Sequence, residues 1–132
     1  MTFFRAIKLA FLLSLASLIT IGCGDSGPPV GQVQGTVTID GKPPGAPLRV
    51  SFLPSNGRSS SALSDSSGNY IMRFTARQDG AIVGEHEVRI EFMDTDTAPV
   101  SIPTRYNDNS TLTATVTRGR NTINFDIRTT ED

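Results

Sequence analysis

The sequence predicts an all-β protein, a seven-stranded antiparallel β-sandwich that follows a cleaved signal peptide. Three observations predict it. Between Gln32 and Ile127, apolar residues recur at every second position in seven segments, the period of a strand with one buried face. Clusters of Gly, Pro, Asn, Asp and Ser separate the segments, and none carries a helical period. Ahead of them, a basic start and one apolar run end at the only cysteine of the chain.

At the N-terminus, Arg5 and Lys8 supply charge, residues 9–21 are apolar, and small Gly22 precedes Cys23. That order is a secretory signal, and the run is shorter than the roughly 20 residues a membrane span needs. Residues 1–22 are therefore expected to be removed. Ile21-Gly22-Cys23 resembles the lipobox of bacterial lipoproteins. The resemblance implies that Cys23 is the lipid attachment site, acylated on its thiol and on its new amine, with the bilayer as partner. It implies a cell-envelope location, lipid-anchored at the outer membrane or a periplasm-facing membrane surface. Gly24, in place of Asp, favours the outer membrane. The thiol's surroundings agree: with no second cysteine, it has no internal disulfide to form in an oxidising compartment. One acyl chain would hold only marginally, at about 0.8 kcal/mol per buried methylene, whereas three make release negligible.

Residues 24–31 read Gly-Asp-Ser-Gly-Pro-Pro-Val-Gly, full of chain breakers and without apolar periodicity. Residues 23–31 are thus expected to be a lipidated cysteine and flexible tether, and residues 32–129 the folded domain. Val33, Gly35, Val37 and Ile39 share one face of the first strand, which Asp40-Gly41 ends with a strong turn signal. Leu48, Val50 and Phe52 form the second inward face, stopped by Pro54. Residues 61–65 are a short third strand. Asp65-Ser66-Ser67-Gly68-Asn69 turns the chain into Tyr70, Met72 and Phe74. Gly84 opens a long strand with His86, Val88, Ile90 and Phe92 inward and Glu85, Glu87, Arg89 and Glu91 outward. Leu112, Ala114 and Val116 alternate with threonines, and after a turn at residues 118–121, Ile123, Phe125 and Ile127 finish the fold.

Removing Arg5 and Lys8 with the signal leaves ten basic and thirteen acidic side chains. Without a Lys/Arg cluster, nucleic acid is not an expected partner. One domain with a real core fits the length that remains.

Residues 33–43 (Val-Gln-Gly-Thr-Val-Thr-Ile-Asp-Gly-Lys-Pro) are similar to the opening of carboxypeptidase regulatory-like domains. Asp65-Ser66-Ser67-Gly68-Asn69-Tyr70 resembles their "DxxGxY" turn, and residues 84–88 resemble their "GxHxV" strand. Arg105-Tyr106-Asn107-Asp108 is similar to a "KYND" segment of small bacterial lipoproteins carrying one such domain. The resemblance implies a transthyretin-like (prealbumin-type) sandwich of Ig-like architecture, usually without catalytic activity. The residues also explain themselves locally. Gly35 marks a bulge or a close approach of the next strand. Asp65 can accept from the turn amides, and Gly68 can take positive φ.

Chemistry-bearing residues are sparse. There is one histidine, and His86 is expected at the rim of the core. No serine sits in a nucleophile-elbow context. No catalytic residue, cofactor or metal is expected: Asp94-Thr95-Asp96 starts like a calcium loop but lacks the Gly and distal Glu of an EF-hand. An isopeptide bond between Lys42 and Asn121 or Asn124 is disfavoured, because Lys42 follows the first strand. The long loop at residues 93–110 is the place to look for a partner, with Arg105, Tyr106 and Asp108 as candidate binding residues. Tyr106 is the best exposed aromatic, or else packs the loop onto the sandwich. The expectation is a membrane-anchored, non-enzymatic β-sandwich lipoprotein with a binding or structural role toward an envelope protein or glycan. The alternative is a carbohydrate-binding or weakly hydrolytic envelope protein that uses the same loop.

Overall fold

Strand β1 (Val30–Ile39) is the hub of the computed structural model, which describes Gly22 and residues 27–130. Residues 1–21 of the expected signal peptide, and Cys23, lie outside the described residues. The other strands are β2 (Leu48–Pro54), β3 (Ser60–Leu63), β4 (Asn69–Ile71), β5 (Arg73–Thr75) and β6 (Gln78–Asp79). They continue with β7 (Ala81–Ile82), β8 (Gly84–Phe92), β9 (Thr113–Val116), β10 (Arg120–Thr122) and β11 (Phe125–Ile127). Two sheets result, one of five strands and one of six, and the described residues contain no α-helix.

In the five-stranded sheet, β4 and β7 pair antiparallel with β1, while β10 and β11 follow β1 in parallel. The six-stranded sheet runs β6-β5-β3-β2-β8-β9, antiparallel throughout. Its spine is the β2–β8 ladder, from Leu48 opposite Phe92 to Pro54 opposite His86. The alternation read from the sequence is the alternation observed, except that Phe74 is half-buried and lies outside the core. Val33, Val37 and Ile39 of β1 meet Leu48, Val50 and Phe52 of β2 and Val88, Ile90 and Phe92 of β8 in one buried core. Phe52 and Phe125 join the two sheets edge to face, with centroids 6.2 Å apart.

Three expectations need correction. The sandwich is not purely antiparallel: alternation reports which face is buried, and parallel and antiparallel strands alternate alike. Nor are there seven uninterrupted strands. The segment through Tyr70, Met72 and Phe74 changes sheets at Met72, so β4 pairs β1 and β5 pairs β3. The last segment breaks at Ile123 and Asn124 into β10 and β11, and β6 and β7 add two short strands. Finally, β1 begins at Val30, not Gln32. Val30 and Gly31 pair with Ile82 and Ala81, which removes them from the expected tether.

The strand directions give the molecule two ends. At the entry end are the start of β1, the end of β2, the start of β8 and the 117–119 turn. At the far end are the Asp40-Gly41 turn, the 65–68 turn and the long loop after Phe92. Asp40 (φ 50°) and Gly41 (φ 77°) both take positive φ, closing the tight hairpin in which Ile39 bridges Lys42.

Candidate functional site

The 93–110 loop leaves the far end of β8 and carries one turn of 3-10 helix, Thr104–Tyr106. A cleft of about 490 Å³ opens between this loop and the end of β8. Glu91, Thr95, Asn107 and Asp108 line it beside an apolar wall that includes Val100 and Ile102. Of the three residues expected to bind a partner, only Asp108 faces this cleft and is exposed.

Arg105 and Tyr106 have other work. Both are half-buried, and Tyr106 packs against the core. The Arg105 guanidinium lies 5.0 Å from the Tyr106 ring centroid and donates through Nη2 to the carbonyls of Arg128 (2.7 Å) and Thr130 (3.2 Å). The Tyr106 hydroxyl accepts from the Arg128 amide at 3.0 Å. These two side chains therefore fasten the C-terminal segment. The packing alternative for Tyr106 is the arrangement found. What they hold lies more than twenty residues away in sequence, so nothing local announced it.

From the other side, Asp40 accepts from the Thr129 hydroxyl and amide. These bonds, the hydroxyl's first, hold its carboxyl below the usual value of 3.8. Asp126 is lowered likewise, chiefly by the Thr38 hydroxyl at 2.8 Å and then by the Gly41 amide at 3.0 Å. Residues 128–130 are thus clasped between the 3-10 turn and the Asp40-Gly41 turn that ends β1.

His86 is 2% exposed, its ring tilted 43° against Phe52 with centroids 5.5 Å apart, and its Nε2 donates to the Ile82 carbonyl at 2.6 Å. The ring sits in the core proper, and Nδ1 has no partner among the described residues. Both carboxylate oxygens of Asp94 serve their own turn, accepting from the Asp96 amide and the Thr97 hydroxyl. No group of three or more His, Cys, Asp and Glu side chains converges among the described residues. Lys42 is exposed at the far end, while Asn121 bonds the Gln32 carbonyl at the entry end and Asn124 accepts from the Thr36 amide.

The structure also presents a surface that the sequence reading passed over. Leu63 (60% exposed) and Ile71 (59% exposed) sit in a groove of about 680 Å³ on the outer side of β1 and β4, bordered by Gln34, Thr36, Asn69 and Asn124. The signal was present: both are apolar residues out of phase with buried Ala62, Tyr70 and Met72. Comparison of the chain with protein-family models, with curated proteins and with solved structures finds no match.

Proposed function

We propose that this chain is a lipid-anchored, non-enzymatic β-sandwich of the cell envelope, of the carboxypeptidase regulatory-like type, which holds a partner near the membrane. The observation that carries this reading is positional. Strand β1 begins at Val30, seven positions after Cys23, and the loop cleft opens at the opposite end of the sandwich. Seven residues reach at most about 25 Å. Acylated Cys23 would keep the entry end close to the bilayer and turn the cleft outward.

Several features support binding over chemistry. The sole histidine is buried, with Nε2 engaged by a backbone carbonyl. The Asp65 turn supports the domain type: Asp65 Oδ1 accepts from the amides of Ser67 (3.0 Å) and Asn69 (2.9 Å), with Gly68 at φ 91°. A protein partner suits the cleft better than a glycan, because Phe92 in its wall is buried and nearby Tyr106 is covered by Arg105, so neither offers a stacking platform. Intact mass of the protein extracted from its native membrane tests the anchor. Loss of residues 1–22 with acyl groups on Cys23 is expected; a cleaved chain without acyl groups would overturn it. A photo-crosslinker at Asp108 should capture a protein partner, and one at Arg118 should not.

A further inference from the structure

We infer that the entry end of the sandwich is a docking face for anionic lipid headgroups. This rests on the reading of Cys23 as the anchor and adds a second, electrostatic contact made by the folded domain itself.

Three turns meet at the entry end. The 55–59 turn reaches Ile82, where Gly57 lies against its Cδ1, and Ile82 pairs with Val30. The β5–β6 turn at residues 76–77 lies at the same end, because β5 runs antiparallel to β3 and toward its start. The 117–119 turn is fixed to β1 by the Gln32 amide, which donates to the Gly119 carbonyl at 2.8 Å. These turns and the first residue after them carry Arg58, Arg77, Arg118 and Arg120. All four are exposed, and none has a carboxylate within 4 Å among the described residues. Of the three acidic residues at this end among the described residues, Asp79 faces Arg73 at 3.7 Å and Glu87 faces Arg89 at 2.7 Å, which leaves Glu85.

The far end has the opposite sign. Asp40, Asp65, Asp94, Asp96, Asp108 and Asp126 are exposed there, against Lys42, Arg128 and half-buried Arg105. A chain with thirteen acidic and ten basic residues after Gly22 would be repelled as a whole by an anionic bilayer. Its polarity instead favours one orientation, arginines down. Screening confines such attraction to about 8–10 Å at physiological salt, so it acts only on a domain already held close. The four guanidinium groups are spread over three turns around one end rather than lining one groove. That suits a planar array of phosphates better than a single polyanionic strand.

The chain from residue 23 onward contains every strand of both sheets, so the domain can be tested with Cys23→Ser and without acylation. The assay is co-sedimentation with phosphatidylcholine vesicles, with and without phosphatidylglycerol, at low and high salt. Binding is expected only to the anionic vesicles, and salt should weaken it. At roughly fivefold per basic side chain, from about 1 kcal/mol each, replacing all four arginines by Gln should lower partitioning several hundredfold. Replacement by Lys should retain most of it, and Lys42→Gln should change it little. Equal binding to both vesicle types, loss on Arg→Lys exchange, or arginine-dependent binding to heparin with none to vesicles would each overturn the inference. The assay needs no acyl chain, so it can fail while the mass measurement upholds the anchor, and the reverse.

Discussion

One carbonyl ties three distant positions together. The chain breaks between β10 and β11 at Ile123, whose carbonyl oxygen lies over Gly35 and accepts from the Tyr70 hydroxyl at 2.6 Å. A Cβ on Gly35 would fall well inside contact with that oxygen, with the Tyr70 ring also close at 3.1 Å. Gly35→Ala is therefore expected to lower stability by about 1–3 kcal/mol, the usual range for overpacking, read from the midpoint of urea unfolding. Tyr70→Phe keeps the ring but leaves the carbonyl without its donor, and should cost about 1–2 kcal/mol in the same assay. Burial raises the Tyr70 hydroxyl pKa well above its ordinary value, consistent with a phenol that serves as a fixed donor. The sequence offered two readings of Gly35, a bulge or a close approach. The close approach is what the structure contains.

Among the elements, the C-terminal segment after β11 has the most distinctive support. Asp40 and Asp126 have folded pKa values below 3.8, so both bind their protons more weakly folded than unfolded. Their contribution is complete above the unfolded value near 4 and is lost as pH falls through the folded values. Asp40→Asn together with Asp126→Asn should flatten the fall in stability below about pH 4, measured by denaturant unfolding across that range. Arg105→Ala with Tyr106→Phe should speed hydrogen exchange at the Arg128 amide, while Val88 and Ile90 in β8 stay protected. Pairing at this scale was poorly legible in the sequence. Alternation through Phe125 and Ile127 identified a strand and its buried face, yet nothing in it said that β11 would lie parallel to β1. Tyr70, Met72 and Phe74 alternate without interruption although the chain changes sheets between them. The buried face is a property of a segment; the partner strand depends on the whole chain.

For the whole molecule, one core joins both sheets, so loss of either sheet exposes the other. Unfolding followed by fluorescence and by circular dichroism should give coincident transitions. Leu63→Thr and Ile71→Thr lie outside the core and should change stability by no more than about 0.5 kcal/mol. A larger loss would mean that the outer groove is packed in solution. The buried alternation and the Asp65 turn were legible because each depends on local residue order. The opposed charge at the two ends was not, since Arg58, Arg77, Arg118 and Arg120 form no cluster along the chain. Only folding gathers them.

The parallel pairing of β1 with β10 and β11 also sets a timetable. Val37 lies opposite Phe125, so a ribosome must add some 88 residues after Val37 before that contact can form. Until then, one side of the first strand made has no neighbour, although β2, β3 and β8 can already associate. Such delayed closure slows folding and prolongs the interval in which an unpaired strand can join another chain. A chain stopped after Val116 should accordingly aggregate, although it retains β1–β9. The last eleven residues after that point, through Ile127, complete the sheet begun by the first strand.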